Sequence, residues 1–214
     1  MLRDERFAKS DNWTCPKCWE ANRPQPDKPL PDLDSSITDN ASGMKTSVKD
    51  SLRILQWNAD GVKSNSDDLA RKLKSLNIDV AVIQETKLSK RDAAPPRIDE
   101  FKPIRQDRKL DIRGGGLIIY VRETLPYETV DYRHIRGSEI QTIRIRLDTK
   151  KWVTLTNFYC PPVNSTGQEI VFDPSVIPIS ASSIICGDFN AHNDSWDAFQ
   201  PEDDRGTEVL EWQA

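Results

Sequence analysis

The chain of 214 residues carries 34 acidic against 30 basic side chains, a formal net charge of −4 that argues against gripping nucleic acid by bulk positive charge. Its length suits one α/β domain with an appendage, and it has neither the roughly 18 consecutive apolar residues of a membrane span nor, in Met1-Leu2-Arg3-Asp4-Glu5-Arg6, the apolar core of a signal peptide. With no secretory signal, an intracellular protein with free thiols is expected; its four cysteines fall as the close pair Cys15 and Cys18 plus Cys160 and Cys186.

Residues 1 to about 48 are poor in aliphatic side chains and rich in Pro, Asp, Ser and Asn, too little apolar surface to offset the entropy of ordering. A mostly disordered arm is expected over residues 1–48, followed by one domain over 49–214. Within the arm, Trp13-Thr14-Cys15-Pro16-Lys17-Cys18-Trp19 has the Cys-x-x-Cys spacing of half a zinc site. Structural zinc takes four ligands, and no second Cys or His pair follows nearby. Cys15 and Cys18 are therefore read as inert thiols, or as a partial zinc site that a partner completes, rather than as an autonomous finger.

From Leu52 the pattern changes. Leu52-Arg53-Ile54-Leu55-Gln56-Trp57-Asn58 alternates as a strand does and ends on the turn signature Asn58-Ala59-Asp60-Gly61. Asn65-Ser66-Asp67-Asp68 offers N-cap candidates and first-turn acids to a helix whose Leu69, Leu73 and Leu76 share one face, ending near Asn77. Asp79-Val80-Ala81-Val82-Ile83-Gln84-Glu85-Thr86 is a continuous apolar run closing on a carboxylate, the mark of a strand covered on both faces. Together these make a βαβ unit with a right-handed crossover.

Beyond Ala93-Ala94-Pro95-Pro96, a short strand is expected from Phe101 to Asp107. Arg113-Gly114-Gly115-Gly116 then opens Leu117-Ile118-Ile119-Tyr120-Val121; no helix follows the glycines, so a mobile hairpin loop is expected rather than a phosphate loop. Three alternating runs, from Tyr127 to Tyr132, Ile140 to Leu147 and Trp152 to Phe158, predict an antiparallel series, the last ending in Asn157-Phe158-Tyr159-Cys160-Pro161-Pro162. After a loop from Asn164 to Ser180, Ser183-Ile184-Ile185-Cys186-Gly187 reads as a buried strand that delivers Asp188 and Asn190 to its C-terminal end. Arg205 to Trp212 has the look of a helix beginning. Basic residues dominate from Lys102 to Lys151 and acidic ones from Asp188 to Glu211, which suits either a polyanion held against a metal site or two solvated faces of opposite sign.

Four strand exits thus carry Asn58, Glu85, Tyr159 and the Asp188/Asn190 pair. Ligands bind beyond the strand ends of α/β sheets, so four neighbouring exits would form one polar pocket. A lone Asn or Asp after a strand is ordinarily a turn former, and a single Tyr can simply cap a core; complementary groups at four exits are the stronger signal. They suit metal-assisted phosphodiester hydrolysis. In that chemistry Glu85 is a Mg²⁺ ligand, and Asp188 orients or deprotonates the attacking water or shares the metal. Asn58 and Asn190 hold a phosphoryl oxygen or a catalytic side chain, and the Tyr159 hydroxyl donates to the pentavalent transition state.

The segments Gln56-Trp57-Asn58-Ala59-Asp60-Gly61, Ile83-Gln84-Glu85-Thr86, Arg113-Gly114-Gly115-Gly116, Asn157 to Pro162, and Gly187-Asp188-Phe189-Asn190-Ala191-His192 with Trp196 resemble the motifs of the endonuclease/exonuclease/phosphatase superfamily. Within it, the chain is most similar to the apurinic-endonuclease-like domain that precedes reverse transcriptase in jockey-type non-LTR retrotransposons. The likeness runs from Leu52 to Trp212 and leaves out the first 48 residues. It implies a four-layer α/β/β/α sandwich, incomplete at its C-terminus, and a Mg²⁺-dependent nick in target DNA whose 3′ hydroxyl primes reverse transcription, with Mn²⁺ as a substitute metal. By this resemblance Asn58 and Glu85 are the metal-pocket pair, Tyr159 the active-site tyrosine, and Asp188 and Asn190 the polar pair of a Gly-Asp-x-Asn motif. His192 and Trp196 match a pattern of the retrotransposon branch and are expected to be structural; His134 has no counterpart and is expected at the surface.

Family members close with a Ser-Asp-His-type motif whose His contacts the scissile phosphate, and the chain stops before it, so exposed strand edges and little or no turnover are expected of the isolated chain. The implied partners are DNA, element RNA and a reverse transcriptase domain, met in the nucleus and away from membranes. Two other readings remain open on the residues: a phosphatase or phosphodiesterase acting on a small phosphoester, and a non-catalytic nucleic-acid-binding remnant.

Overall fold

The apolar runs of the sequence become strands and helices in the expected order, seen in a computed structural model that describes residues 51–108, 114–135, 137–162 and 172–213. The Cys15/Cys18 arm, Arg113 and the first part of the loop beginning at Asn164 lie outside the described residues. Strand β1 (Ile54–Asn58) leads through helix α1 (Ser66–Ser75) to β2 (Val80–Gln84). Strands β3 (Phe101–Gln106), β4 (Leu117–Arg122), β5 (Tyr127–Ile135), β6 (Ser138–Arg146) and β7 (Trp152–Tyr159) follow. A 3₁₀ turn at Pro174–Val176 precedes β8 (Ser183–Asp188), and helix α2 (Asp204–Gln213) closes the described residues.

Two four-stranded sheets result, ordered β1-β2-β4-β3 and β5-β6-β7-β8. Each has one parallel pair, β1 with β2 and β7 with β8, and its other pairs are antiparallel. Period-two alternation gives each sheet two usable faces. Val80, Val82, Ile119 and Val121 of the first sheet meet Ile143, Ile145, Val153 and Leu155 of the second in a shared apolar layer. Each fully buried Val or Ile there contributes roughly 1.5–3 kcal/mol. The opposite face of the first sheet, with Ala81, Ile83, Ile118 and Tyr120, is covered by Leu69 and Leu73 of α1. Ile140 and Phe158 on the outer face of the second sheet pack with Phe172, Ile177, Val209 and Trp212, the last two from α2. The architecture is the expected four-layer α/β/β/α sandwich, and β2 is buried along its whole length, as its unbroken apolar run requires.

Local details differ from the sequence reading. Asn65 occupies the N-cap position of α1 but makes no capping side-chain bond, because its amide donates instead to the Ala59 and Gly61 carbonyls of the preceding turn. Asp67 and Asp68 do fall in the first turn, where they complement the helix dipole. Leu76 does not join Leu69 and Leu73: the helix stops at Ser75, Asn77 turns left-handed at φ 49°, and the Leu76 side chain is left 51% exposed. Leu76→Lys should therefore change unfolding free energy by less than about 0.5 kcal/mol in a urea titration. A loss of several times that size would restore Leu76 to the core. His134, expected at the surface, is half-buried in β5 opposite Glu139.

Candidate active site at the strand exits

Alternation decides which side chains enter the layer between the sheets, and that layer changes character along its length. On β1 the inward sequence is Ile54, Gln56, Asn58; on β2 it is Val80, Val82, Gln84; on β7 it is Val153, Leu155, Asn157, Tyr159; on β8 it is Cys186, Asp188. Every strand begins apolar and ends polar. Register then brings the ends level, since Asn58 pairs with Gln84 across β1/β2 and Tyr159 with Asp188 across β7/β8.

The result is one hydrogen-bonded cluster spanning both sheets. The Asn58 amide Nδ2 donates to Glu85 Oε1 at 2.9 Å and to Asp188 Oδ2 at 2.6 Å. The Tyr159 hydroxyl donates to the same Glu85 Oε1 at 2.9 Å. Two like-charged carboxylates are thus held apart by a single amide. Burial, reinforced by the charge of Glu85, pushes the Tyr159 hydroxyl well above the usual tyrosine range, so it remains a proton donor. Glu85 sits in the left-handed region at φ 50° and Asn190 at φ 45°, backbone conformations that cost non-glycine residues energy and gather at sites where geometry is over-determined. Lys87 is ion-paired with Asp60 and lies 3.9 Å from Glu85 Oε2.

Asn190 stands one step out. Its backbone amide donates to Asp188 Oδ1 at 3.0 Å, and its side-chain amide to the Cys160 carbonyl at 2.9 Å, which ties the β8 exit loop to the β7 exit. His192 and Trp196 serve the loop. The His192 amide donates to Asp203 Oδ1 and its carbonyl accepts from the Asp203 amide, its ring lies 3.7 Å from Asp197, and the Trp196 indole donates to the Ala191 carbonyl. None of these contacts reaches Glu85 or Tyr159.

Two supports were not foreseen from sequence. Beneath the cluster, Gln56 donates to Gln84 and Gln84 to Asn157, each at 2.6 Å, and the Asn157 amide donates to the Ile83 and Ile118 carbonyls. This ladder satisfies buried polar groups while locking the sheets in register below the site. Its signal was legible: glutamine as the last inward residue of an otherwise apolar strand. The second support is Arg205, whose Nη1 gathers the carbonyls of Pro161, Phe189 and Asn190 at 3.0 to 3.1 Å.

Cys160 and Cys186, the free cysteines among the described residues, flank the site without entering it. Cys186 packs between the sheets, where burial pushes its thiol up to about 11, and buried Cys160 is raised for the same reason. Both should resist iodoacetamide at pH 8 until urea unfolds the protein, as read by peptide mass spectrometry; rapid modification of folded Cys186 would contradict its placement.

As a metal locus the cluster offers hard oxygen donors from Glu85 and Asp188 beside two neutral hydrogen-bonding groups. That set suits Mg²⁺, which uses one or two carboxylates and fills its shell with water and substrate phosphate oxygens. Among the described residues no group of three or more His, Cys, Asp or Glu side chains that could hold a metal ion is gathered. No helix of the described residues is long and apolar enough to cross a membrane.

Comparison with known proteins identifies the family. The model of the endonuclease/exonuclease/phosphatase family matches residues 55–212. A curated Drosophila melanogaster protein, "Probable RNA-directed DNA polymerase from transposon BS", is 23% identical over 148 residues, which is 68% of this chain and 16% of that protein. The chain therefore spans about a sixth of that relative's length. Among solved structures, the endonuclease domain of TRAS1, a telomere-specific non-LTR retrotransposon, superposes with a TM-score of 0.50 at 18% identity, covering 75% of this chain and 68% of that one. The D. rerio TDP2 structure complexed with a single-strand DNA product matches with a TM-score of 0.46 at 18% identity over 67% of this chain and 62% of that one.

Proposed function

Because the chain belongs to the endonuclease/exonuclease/phosphatase family, we propose that it is the DNA-nicking part of a non-LTR mobile element, hydrolysing a phosphodiester bond at the Asn58, Glu85, Tyr159 and Asp188 cluster with Mg²⁺. The observation that carries this reading is the Asn58 amide shared between Glu85 and Asp188, with the Tyr159 hydroxyl on the same Glu85 oxygen. The transposon polymerase relative favours DNA as the substrate over a small phosphoester. Element RNA and a polymerase segment are then the partners, and the nucleus the place of action.

Glu85, with Asp188 as a second ligand or neighbour, would hold Mg²⁺, which would neutralise negative charge on the phosphoryl oxygens. Asp188 accepts the proton of the attacking water. As the new bond to phosphorus forms, the bond from phosphorus to the 3′ oxygen breaks; that oxygen takes a proton from solvent, leaving a 3′ hydroxyl and a 5′ phosphate. The Tyr159 hydroxyl and the Asn58 amide, already aimed into the cluster, turn their hydrogen bonds to the phosphoryl oxygens as charge builds there.

The test incubates supercoiled plasmid with this chain, and with the chain extended through its downstream reading frame, in Mg²⁺ and in EDTA. Conversion to open circles in Mg²⁺ alone supports the reading. Nicking by neither form, nicking that survives EDTA, or preferential hydrolysis of inositol phosphates sinks it.

A further inference from the structure

The triple-glycine stretch, expected from sequence to be mobile, is bonded on both sides between the two halves of the site. Thr86 and Lys87, the residues directly after Glu85, donate their amides to the carbonyls of Gly116 at 3.1 Å and Gly115 at 2.9 Å. On the other side, the Gly116 amide donates to Glu139 Oε2 at 2.8 Å. Glu139 is the cross-strand partner of Tyr159 in the β6/β7 register. Its other oxygen accepts from Arg108 Nε at 2.5 Å, and the Arg108 guanidinium lies over the Tyr159 ring, 5.6 Å from its centroid.

Both members of this pair are buried, the Arg108 side chain 6% and Glu139 0% exposed. Only glycine fits at position 115: its φ is 69°, and a Cβ there would overlap Glu139 and Arg108. Arg108 Nη2 is buried with no hydrogen-bond partner among the described residues. A buried charge pair with an unpaired nitrogen is poor design for stability alone, because desolvation offsets most of its attraction. The pair is therefore better explained by what it touches.

We infer that Arg108 and Glu139 are positioning residues which, through the Gly114–Gly116 turn, clamp the chain after Glu85 against the Tyr159 ring and so set the Glu85 to Tyr159 contact. One arm of the clamp is backbone, from Thr86 and Lys87 through the glycines to Glu139. The other is the guanidinium plane on the tyrosine face. Neither residue touches the substrate; both act through Glu85 and Tyr159, so this inference rests on the nuclease reading for its catalytic consequence. Its structural consequence stands apart from that reading. Losing Arg108 alone leaves Glu139 as an uncompensated buried carboxyl, which destabilises the fold and hides any local effect. Removing both charges avoids this.

The experiment compares the wild-type chain with R108M/E139Q and with R108K, which keeps the charge but not the plane. Amide hydrogen exchange by NMR at Thr86 and Lys87 is the first readout. In R108M/E139Q these two amides should exchange at least about 10-fold faster, while the amides of Leu155 and Phe158 in β7 keep their rates. Plasmid nicking is the second: kcat should fall about 10- to 100-fold with KM changed less than about threefold, as for partners that orient a site without entering it. R108K should fall between wild type and the double variant in both readouts. Wild-type exchange at Thr86 and Lys87 in a folded R108M/E139Q overturns the clamp, as does loss of kcat/KM carried wholly by KM. If no form of the protein nicks DNA, the nuclease reading fails while the exchange rates still decide the clamp.

Discussion

Glu85→Gln is expected to lower Mg²⁺-dependent nicking by about 10³-fold, roughly 4 kcal/mol of transition-state stabilisation, while leaving the circular dichroism spectrum unchanged. The change is isosteric but removes a charge from the cluster and one of its acceptor oxygens. Glu85 Oε1 accepts from both Asn58 and Tyr159, and a glutamine carbonyl can keep both bonds, but the oxygen that faces Lys87 becomes an NH₂ donor beside an ammonium. A charged hard-oxygen ligand is lost at the same stroke. Stability should hold or rise slightly, since Glu85 and Asp188 are like charges sharing a single amide between them. Asp188→Ala should cost a similar factor for a different reason, loss of the group that takes the water's proton. Activity of Glu85→Gln within tenfold of wild type would remove Glu85 from the chemistry.

Arg205→Met should destabilise the protein by about 3 kcal/mol in urea unfolding, a large share of the 5–15 kcal/mol typical of a domain. The side chain is buried, and one nitrogen holds three carbonyls, two of them in the loop carrying Asp188 onward to Asn190 and the third just past Tyr159. Methionine fills the space but leaves these acceptors without a donor. Neighbouring residues give the loop no freedom to compensate. Asp203 caps α2 through the Gly206 amide and accepts the His192 amide as well, and a Cβ on Gly206 would overlap the His192 carbonyl. Because the loop is built on this anchor, the variant should also lose nicking at temperatures where it is still folded. A stability change under about 1 kcal/mol would mean that water replaces the guanidinium and that Arg205 is dispensable.

The elements and the chemical groups were legible because both are local properties. Alternation marked β1 and β5 to β7, an unbroken apolar run marked β2, and a polar residue after each apolar run marked the exits at Asn58, Glu85, Tyr159 and Asp188. Local pattern also misled, and always where a distant partner competed. Leu76 has the spacing of a core residue, yet the helix ends one residue too early to bury it. Asn65 has the chemistry of a cap, yet the turn before the helix takes its amide. The glycine run has the composition of a mobile loop, yet carbonyls and an amide within it are bonded to Thr86, Lys87 and Glu139.

By itself, then, the sequence determined which segments are strands, which groups stand at their ends and which family the motifs resemble, since propensity, alternation and turn chemistry act over a few residues. Only the tertiary structure decided that the exits meet. Asn58 and Asp188 are 130 positions apart, and their 2.6 Å bond exists because two parallel pairs end in register on facing sheets. The same closure chose the supporting residues. Arg108, Glu139 and Arg205 look like ordinary surface charges in the chain, and become buried anchors because the two sheets and α2 close over them and leave their hydrogen bonds no solvent to use instead.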